Sequence, residues 1–360
     1  MSADVYQRLR EQLDHYSIGY PATRSGVELK MLKKLFAPQE AEMFLDLSLL
    51  LETPEEAARR TGRDPRDTAG LLERMAERGL VFRRRKGQEV KYAAAPFVAG
   101  IYEYQLGTLD LELARLFEDY FHEAFHQSTA VSFMRPIPVN RSVDVSYPVA
   151  TYEDSRRIVR NQKLIAVADC ICRKQQGLLN QACDKPLEVC LIFGSHAQYY
   201  LDRKMARQVS VEEAMTILDR AEAAGLVTQP YNAQNPGGLC NCCGDCCGIL
   251  RALNRLPNPA ESVVSNYYAV VEAESCTACE TCLGRCQMAA IKINADGVAE
   301  VDLLRCLGCG LCVTTCPSGA MRLEIKPLEK RRLPPADGAR QMAELAEKRG
   351  RSLIPISQSR

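Results

Sequence analysis

Two runs of four cysteines near the carboxyl end of the chain constrain its fold and chemistry more than any other feature. The runs consist of Cys276, Cys279, Cys282 and Cys286, and of Cys306, Cys309, Cys312 and Cys316. Both have the spacing C-x2-C-x2-C-x3-C, and Pro317 follows the second run. Three thiolates at intervals of three residues in a tight loop can contact three corners of a cubane iron–sulfur cluster. The fourth cysteine begins the helix that leads away, so it points at the other cluster.

The spacing therefore predicts two [4Fe-4S] clusters with exchanged fourth ligands. The predicted ligands of cluster I are Cys276, Cys279, Cys282 and Cys316, and those of cluster II are Cys306, Cys309, Cys312 and Cys286. Zinc held by the same cysteines is the alternative. Two interlocked runs with a closing proline are far more specific for clusters than a single C-x2-C pair.

The segments that carry the two runs also repeat each other. Each run continues into an alternating stretch, at 290–293 and at 321–325, that is typical of a short strand. This internal repeat and the two runs closely resemble the bacterial two-[4Fe-4S] ferredoxins. The resemblance implies a ferredoxin-like domain, which we place at 263–327. Gln287 follows Cys286, where the pattern would have a second proline. This difference removes a rigid end to the run but no ligand.

Length and composition set broad limits on the protein. A chain of 360 residues has room for two or three domains. A net charge of +1 gives no sign of a polyanionic partner or a membrane surface, and no apolar run approaches the roughly 18 residues of a membrane span. The chain contains 17 cysteines, and its start lacks a signal peptide. Together these features favour metal ligation in a reducing cytoplasm over disulfides.

The amino-terminal part reads as a helical lead-in at 1–37, followed by a winged helix-turn-helix and a long connecting helix at 38–135. Thr53 and Asp64 are predicted to cap the second and third helices of the winged helix. Binding of DNA would use a set of basic side chains, namely Arg63, Arg66, Arg83, Arg84, Arg85 and Lys86. Acidic residues on the third helix would repel phosphates, so a structural or docking role is favoured over DNA binding.

The predicted connecting helix runs from Tyr102 to His126 and is interpreted as a connector or a dimerisation element. It contains the pattern H-E-x-x-H between His122 and His126, which on a helix could place two histidines on one face to bind zinc. We interpret the match as accidental, because a four-letter pattern is common and His196 is the next histidine downstream.

A proline-containing stretch at 136–150 is a plausible linker to a cysteine-rich α/β domain at 151–262. This domain carries the other nine cysteines, namely Cys170, Cys172, Cys183, Cys190, Cys240, Cys242, Cys243, Cys246 and Cys247. Glycines at 244 and 248 would let the backbone approach a cluster. Three interpretations stay open: one further cubane, two clusters or a larger non-cubane assembly, and zinc in one group.

We favour at least one further iron–sulfur cluster in this domain. Its ligand subset is open, although Cys172, Cys183 and Cys190 with one member of 240–247 make topological sense. Adjacent Cys-Cys-Gly pairs resemble the CCG motifs of heterodisulfide-reductase-type subunits, but the long spacers of those motifs are absent. Arg173, beside Cys172, could stabilise a reduced and more negative cluster.

The expected architecture is thus α+β and multidomain, with a winged helix, a cysteine-rich domain, a ferredoxin-like domain and a basic tail at 328–360. Within this tail a short helix is expected at 336–349, and the remainder is expected to be solvated. As a whole, the chain looks like the 4Fe-4S dicluster-domain proteins of anaerobic bacteria and archaea, which implies an anaerobic electron-transfer setting.

No G-x-G-x-x-G or G-x-x-x-x-G-K-[ST] motif signals a nucleotide site. We therefore expect a relay of single electrons between protein redox partners, with a homodimer possible. The alternatives are a redox-responsive winged-helix regulator, and an oxidoreductase subunit whose catalytic non-cubane cluster lies at 240–247.

Overall fold

The computed structural model of the chain describes residues 4–126, 133–139 and 151–355. It has mixed α and β structure. Most of the linker expected at 136–150 lies outside the described residues. Among the described helices, none has both the length and the apolar content that a membrane crossing needs.

Five helices and a hairpin form the amino-terminal part. They are α1 (Val5–His15), α2 (Val27–Leu35), α3 (Pro38–Asp46), α4 (Pro54–Thr61), α5 (Pro65–Glu77), β1 (Val81–Lys86) and β2 (Glu89–Ala94). Thr53 and Glu56 form the capping box of α4, and Asp64 caps α5, as predicted. The antiparallel hairpin follows α5 directly. Three helices followed by a hairpin is the order that a winged helix requires, and the assignment to that fold stays a prediction.

The helix expected from Tyr102 to His126 is broken, so that expectation is wrong. The structure has a short 3-10 turn (Glu103–Gln105), then α6 (Leu111–Tyr120), then a π-helical turn (Phe121–Phe125). The cause is Asp110, whose side chain accepts a hydrogen bond of 2.7 Å from the backbone nitrogen of Leu113 and starts a new helix.

A five-stranded sheet forms the centre of the cysteine-rich domain. Its strands are β3 (Ile165–Asp169), β4 (Glu188–Phe193), β5 (Ala206–Gln208), β6 (Val227–Pro230) and β7 (Gly238–Cys242), and its order is β5-β3-β4-β7-β6. All the pairings are antiparallel, so this region is α+β in detail and not α/β as expected. The accompanying helices are α7 (Ser155–Arg160), α8 (Ile171–Leu178), α9 (Gly194–Asp202), α10 (Val211–Ala223) and α11 (Gly248–Asn254).

The carboxy-terminal part contains two short two-stranded sheets and two short helices. The elements are β8 (Tyr267–Val271), α12 (Thr281–Arg285), β9 (Ile291–Ile293), β10 (Ala299–Val301), α13 (Leu311–Thr314) and β11 (Met321–Ile325). β8 pairs with β11 and β9 pairs with β10, both antiparallel. The strand before the first cysteine run thus pairs with the strand after the second run.

The basic tail contains the predicted helix, as α14 (Gly338–Lys348). Contrary to expectation, the tail is not solvated throughout, because Leu345 of α14 is buried. Gln341 Nε2 donates a hydrogen bond of 2.6 Å to the carbonyl oxygen of Phe133, and Arg349 Nη1 donates one of 2.7 Å to that of Asp14. Burial of one apolar side of α14 explains why the tail returns to the amino-terminal helices.

The hairpin of the amino-terminal part packs against helix α9 of the cysteine-rich domain. The Tyr199 hydroxyl lies 2.8 Å from the carbonyl oxygen of Val81, and the Phe82 ring stacks on His196 with ring centroids 4.8 Å apart. Arg83 is buried and pairs with Glu73 and with Asp202. The charge of one predicted DNA-contacting residue is therefore used inside the protein.

Candidate metal centres

The four predicted ligands of cluster I surround one cavity in the carboxy-terminal part. Cys276, Cys279, Cys282 and Cys316 all line it. Cys282 is buried at the start of α12, whereas Cys279 is exposed. The structure therefore brings the fourth cysteine of the second run to the first run, as the crossed ligand assignment requires. One side of this cavity lies at the protein surface.

The four predicted ligands of cluster II surround a second cavity. Cys286, Cys306, Cys309 and Cys312 line it together with Val227 from the cysteine-rich domain. Burial, and to a smaller extent the neighbouring thiols Cys286 and Cys306, raise the pKa of Cys309 to about 12. Neighbouring thiols whose pKa is raised in this way become stable as thiolates when they bind a cation. The donor set fits an iron–sulfur cluster.

Backbone amides donate hydrogen bonds to sulfur atoms in both groups. The nitrogen of Ala299 lies 3.4 Å from Cys276 Sγ, that of Ala290 lies 3.3 Å from Cys286 Sγ, and that of Ala269 lies 3.4 Å from Cys306 Sγ. Such N–H···S contacts stabilise negative charge on the ligands, so they raise the reduction potential of a cluster held there.

The two cysteine loops have the same backbone conformation, offset by a constant interval. Positive φ angles occur at 278, 280 and 289 in the first half and at 308, 310 and 319 in the second. The second half has glycine at all three positions, whereas the first has Ala278, Glu280 and Ala289. The repeat in the sequence is therefore a repeat in structure, although its first half lacks the residue that adopts this conformation without strain.

Residues 266–320 match the family model of the 4Fe-4S dicluster domain. The chain therefore contains an iron–sulfur dicluster domain of the ferredoxin type, and the resemblance is confirmed for this part of it. No significant match was found among curated proteins or among solved structures. The rest of the chain is interpreted from its own geometry.

Six of the nine cysteines outside the dicluster domain form a closed ring of thiols. Each thiol contacts two others, in the order Cys170, Cys172, Cys247, Cys242, Cys240, Cys190 and back to Cys170. We call this group the six-cysteine ring. Its members come from the end of β3, the start of α8, strands β4 and β7, and the residue before α11.

The sequence reasoning missed a fully buried glutamine beside the six-cysteine ring. Gln229 lies on β6 directly opposite Cys240, and its amide lowers the pKa of Cys242. Neither its amide nitrogen nor its amide oxygen has a hydrogen-bond partner of normal geometry in the described part of the chain. A buried amide without a partner is costly. The position of Gln229 fits a group bound within the six-cysteine ring, because atoms of that group would complete the hydrogen bonds of the Gln229 amide.

The remaining three cysteines form a separate and tighter group, which we call the three-cysteine site. Cys183 Sγ lies 3.7 Å from Cys243 Sγ and 3.5 Å from Cys246 Sγ. Contact with Cys246 and, to a smaller extent, the charge of Arg173 lower the pKa of Cys243 to about 5, although burial opposes this. The expected combination of Cys172, Cys183 and Cys190 is therefore wrong as a single ligand set, because Cys183 lies with Cys243 and Cys246.

Arg173 connects the six-cysteine ring to the three-cysteine site. Its guanidinium is buried, and it donates hydrogen bonds of 2.8 Å and 2.9 Å to the carbonyl oxygens of Pro186 and Asn241. Burial alone would lower its pKa, but the thiols of Cys170 and Cys243 raise it overall. The buried positive charge therefore stabilises negative charge on both groups, which agrees with the role expected for Arg173.

The six-cysteine ring and the cavity of cluster II share a wall. Val227, which lines that cavity, is the strand partner of Cys242 in the β6–β7 pairing. Val227, Cys242, Met288 and Leu307 belong to one buried apolar cluster. The space between the two groups of thiols is therefore dry and packed.

A further and larger cavity has a volume of about 500 Å³. Its walls are mostly apolar and come from the hairpin, the central sheet and α14, with Arg84, Ser195 and His196 among the polar side chains. Tyr231 lines the cavity, and its pKa is raised by burial and then by the thiol of Cys240. Tyr231 therefore lies at the cavity and near Cys240 of the ring.

The pattern H-E-x-x-H does not form a metal site in the described part of the chain. His122 Nε2 lies 2.9 Å from a carboxylate oxygen of Glu118, and the carbonyl oxygen of His122 accepts a hydrogen bond of 3.0 Å from Arg255. Glu123 accepts a hydrogen bond from the backbone nitrogen of Ser25. His122 and Glu123 are therefore engaged in contacts with other residues of the chain.

Proposed function

We propose that this chain is an iron–sulfur electron-transfer protein in which the dicluster domain exchanges single electrons with a third centre, held by the six-cysteine ring. The observation that carries the proposal is the shared wall, in which Val227 lines the cavity of cluster II and pairs with Cys242 of the ring. Electron transfer needs closely spaced carriers in a dry, packed medium, and this arrangement supplies both.

The proposed ligands in the dicluster domain are those of the crossed assignment. Cluster I would be held by Cys276, Cys279, Cys282 and Cys316, and cluster II by Cys286, Cys306, Cys309 and Cys312. When bound, such clusters supply one-electron redox chemistry. The protein contributes burial, N–H donors to the sulfur atoms, and the Arg173 guanidinium, and each of these adjusts a reduction potential.

The exposure of Cys279 at the protein surface indicates the order of the three centres in the relay. Cluster I would lie nearest the surface, cluster II would come next, and the ring would be the innermost carrier. A protein redox partner would thus exchange electrons at cluster I. The reducing conditions that free thiols require make a cytoplasmic, oxygen-poor setting the proposed environment.

Iron and acid-labile sulfide analysis of the anaerobically purified full chain tests the proposal. Two cubanes hold about eight irons, and we expect the wild type to exceed that number. Replacement of Cys190 and Cys240 by alanine should lower the iron content to about eight and leave the dicluster domain loaded. Replacement of Cys279 and Cys309 should instead remove dicluster iron. A wild type with about eight irons, unchanged in the Cys190 and Cys240 variant, contradicts the third centre.

The cavity beside Tyr231 favours a second candidate function, an oxidoreductase in which the ring exchanges electrons with a small molecule. Its volume lies in the range of ordinary small-molecule sites, and it is formed between parts of the chain, where such sites are common. The mostly apolar wall fits an uncharged aromatic acceptor or donor.

An added naphthoquinone, 2-methyl-1,4-naphthoquinone, is a suitable probe of this second function. Oxidation of the reduced chain should saturate with probe concentration. Ala339 is exposed and lines the cavity, so Ala339→Trp should raise the half-saturating concentration, whereas Ala336→Trp, outside the lining, should not. Equal, non-saturating rates in both variants would show that the probe reacts elsewhere and would remove this candidate.

A redox-responsive DNA regulator receives less support from the geometry. Arg63 pairs with Asp46 at 2.6 Å, and Arg83 and Arg85 both pair with Glu73. These ion pairs reduce the positive charge available for phosphate contacts. A gel-shift series at low salt against genomic fragments, in both redox states, would revive the regulator only if it showed a shift.

A further inference from the structure

The three-cysteine site differs from the other groups of thiols in its compactness. The sulfur atoms of Cys183, Cys243 and Cys246 all lie within 4.8 Å of one another, and two of the distances are 3.7 Å and 3.5 Å. Cys243 and Cys246 are buried, and Cys183 is partly exposed. Three thiols converge here on one point, from two loops far apart in sequence.

These distances match a single metal ion. Zinc binds thiolate sulfur at about 2.3 Å in tetrahedral geometry, which places the sulfur atoms about 3.8 Å apart. A cubane has four irons between its ligands, so the sulfur atoms that hold it must lie further from one another. The two observed distances agree with the mononuclear geometry.

The dicluster domain provides a comparison within the same structure. Its eight cysteines surround two cavities, yet no three of them come within 4.8 Å of one another in the described chain. The same holds for the six-cysteine ring, where each thiol contacts only two others. Among the described residues, the three-cysteine site is therefore the one group whose sulfur atoms lie too close together to hold a cubane cluster between them.

Two positive side chains lie next to the three-cysteine site. Arg173 contacts Cys243. Burial lowers the pKa of Lys185, but Asp245 and, to a smaller extent, the nearby thiols of Cys183 and Cys243 raise it overall. Three thiolates and a divalent ion carry a net charge of −1, which these cations offset. Lys185 also holds the carboxylate of Asp245 at 2.7 Å, so this carboxylate is engaged outside the metal position.

We propose that Cys183, Cys243 and Cys246 bind one zinc ion, separate from every iron–sulfur cluster of the chain, with a fourth coordination position open to water or another small ligand. Zinc sites with three protein ligands and one exchangeable position are the kind found where zinc takes part in chemistry. The part-exposed side of Cys183 is the side from which a ligand would enter.

Metal analysis of the anaerobically purified full chain tests the site. We expect about one zinc per chain in addition to iron. Cys183→Ser should lose the zinc and keep its iron, and the matched variant Cys279→Ser should lose iron and keep the zinc. A wild type without zinc, or a Cys183→Ser variant that loses iron and not zinc, overturns the proposal and assigns these thiols to a cluster or to thiol chemistry.

X-ray absorption at the zinc edge of the wild type keeps the test independent of any variant that fails to fold. Three sulfur scatterers at about 2.3 Å and one lighter scatterer are expected. Zinc without sulfur scatterers would mean adventitious metal and overturn the proposal. Since the readout is zinc and not iron, a failure of the electron relay would leave this result unaffected.

Discussion

The side-chain oxygen Oε1 of Gln287 accepts a hydrogen bond of 2.8 Å from the backbone nitrogen of Gly244. Gln287 follows the cluster II cysteine Cys286, and Gly244 lies between two members of the three-cysteine site. The residue that departs from the ferredoxin pattern therefore joins the dicluster domain to the cysteine-rich domain. A proline at this position would lack the side-chain oxygen that the contact uses.

Gly244→Ala should weaken this contact between the domains. A Cβ at this position would lie 2.6 Å from the carbonyl oxygen of Gln287, so the two backbones must separate, at a cost of about 1–3 kcal/mol. Gly284 in α12 has open space around it, and Gly284→Ala should stabilise the helix by up to about 1 kcal/mol. Thermal unfolding of both variants under anaerobic conditions checks this. Equal shifts of the unfolding temperature in the two variants would show that Gly244 is not tightly packed against Gln287.

Glycine at the left-handed positions of the first cysteine loop should stabilise the protein. Ala278→Gly and Ala289→Gly should each raise stability by about 1 kcal/mol, because a side chain at positive φ is strained. Ala295, exposed in a nearby turn and without a positive φ, is the control. Ala295→Gly should lower stability slightly through the unfolded chain. If all three variants lower the unfolding temperature, the two loops do not share a conformation.

The pH dependence of stability should contain a contribution from His196. Burial lowers the pKa of His196 to about 4, from 6.5 in an unfolded chain. As the pH falls, the imidazole therefore takes up a proton in the unfolded chain before it does so in the folded chain. The stability that His196 contributes is lost between pH 6.5 and 4. His196→Phe should keep the ring stacked on Phe82 and remove that loss, by roughly 1–3 kcal/mol.

Denaturant unfolding of the wild type and the His196→Phe variant, at several pH values in this window, supplies the measurement. The difference between the two chains cancels the acid sensitivity that they share. Parallel stability curves for the two chains would mean that the imidazole stays open to solvent through the cavity and keeps its ordinary pKa.

Arg83 should matter for stability and not for binding of nucleic acid. It is 5 % exposed and pairs with Glu73 and, at 3.1 Å, with Asp202. Arg83→Met removes the shared partner of two carboxylates and should destabilise the chain by about 3 kcal/mol. Lys86 is exposed and has no ion pair within the described ranges, so Lys86→Met should change stability little. A stable Arg83→Met chain would contradict the docking role of the hairpin.

Much of the local structure follows from the sequence. Thr53 and Asp64 begin helices as predicted, because a side-chain oxygen there accepts a hydrogen bond from the first turn. The strand at 321–325 has the predicted bounds. The dicluster domain was predictable because the spacing of its cysteines is dictated by the shape of the group they bind.

The division of the nine other cysteines was not predictable from spacing. It depends on the order of an antiparallel sheet, which brings Cys190 on β4 next to Cys240 on β7. One signal was present in the sequence: Cys240 and Cys242 are two residues apart, so a strand places them on one face. No strand was predicted for this stretch, and the structure has β7 there.

The docking of the tail and the break before α6 were missed for a related reason. The pattern at 102–126 is apolar at helical spacing, but Asp110 competes as a cap and divides the helix. The tail is basic, yet it buries Leu345 in the apolar cluster that contains the helices at the other end of the chain. Contacts between segments that are distant in the sequence decide whether a tail docks, and these contacts cannot be inferred from a single sequence.

A redox titration of the anaerobically purified full chain, followed by electron paramagnetic resonance, tests the central claim most directly. The account predicts signals from three reducible centres, with mutual broadening between cluster II and the ring centre because they share the wall at Val227. Replacement of Cys190 and Cys240 by alanine should remove the third signal and the broadening together. Two signals only, unchanged in that variant, would contradict the relay.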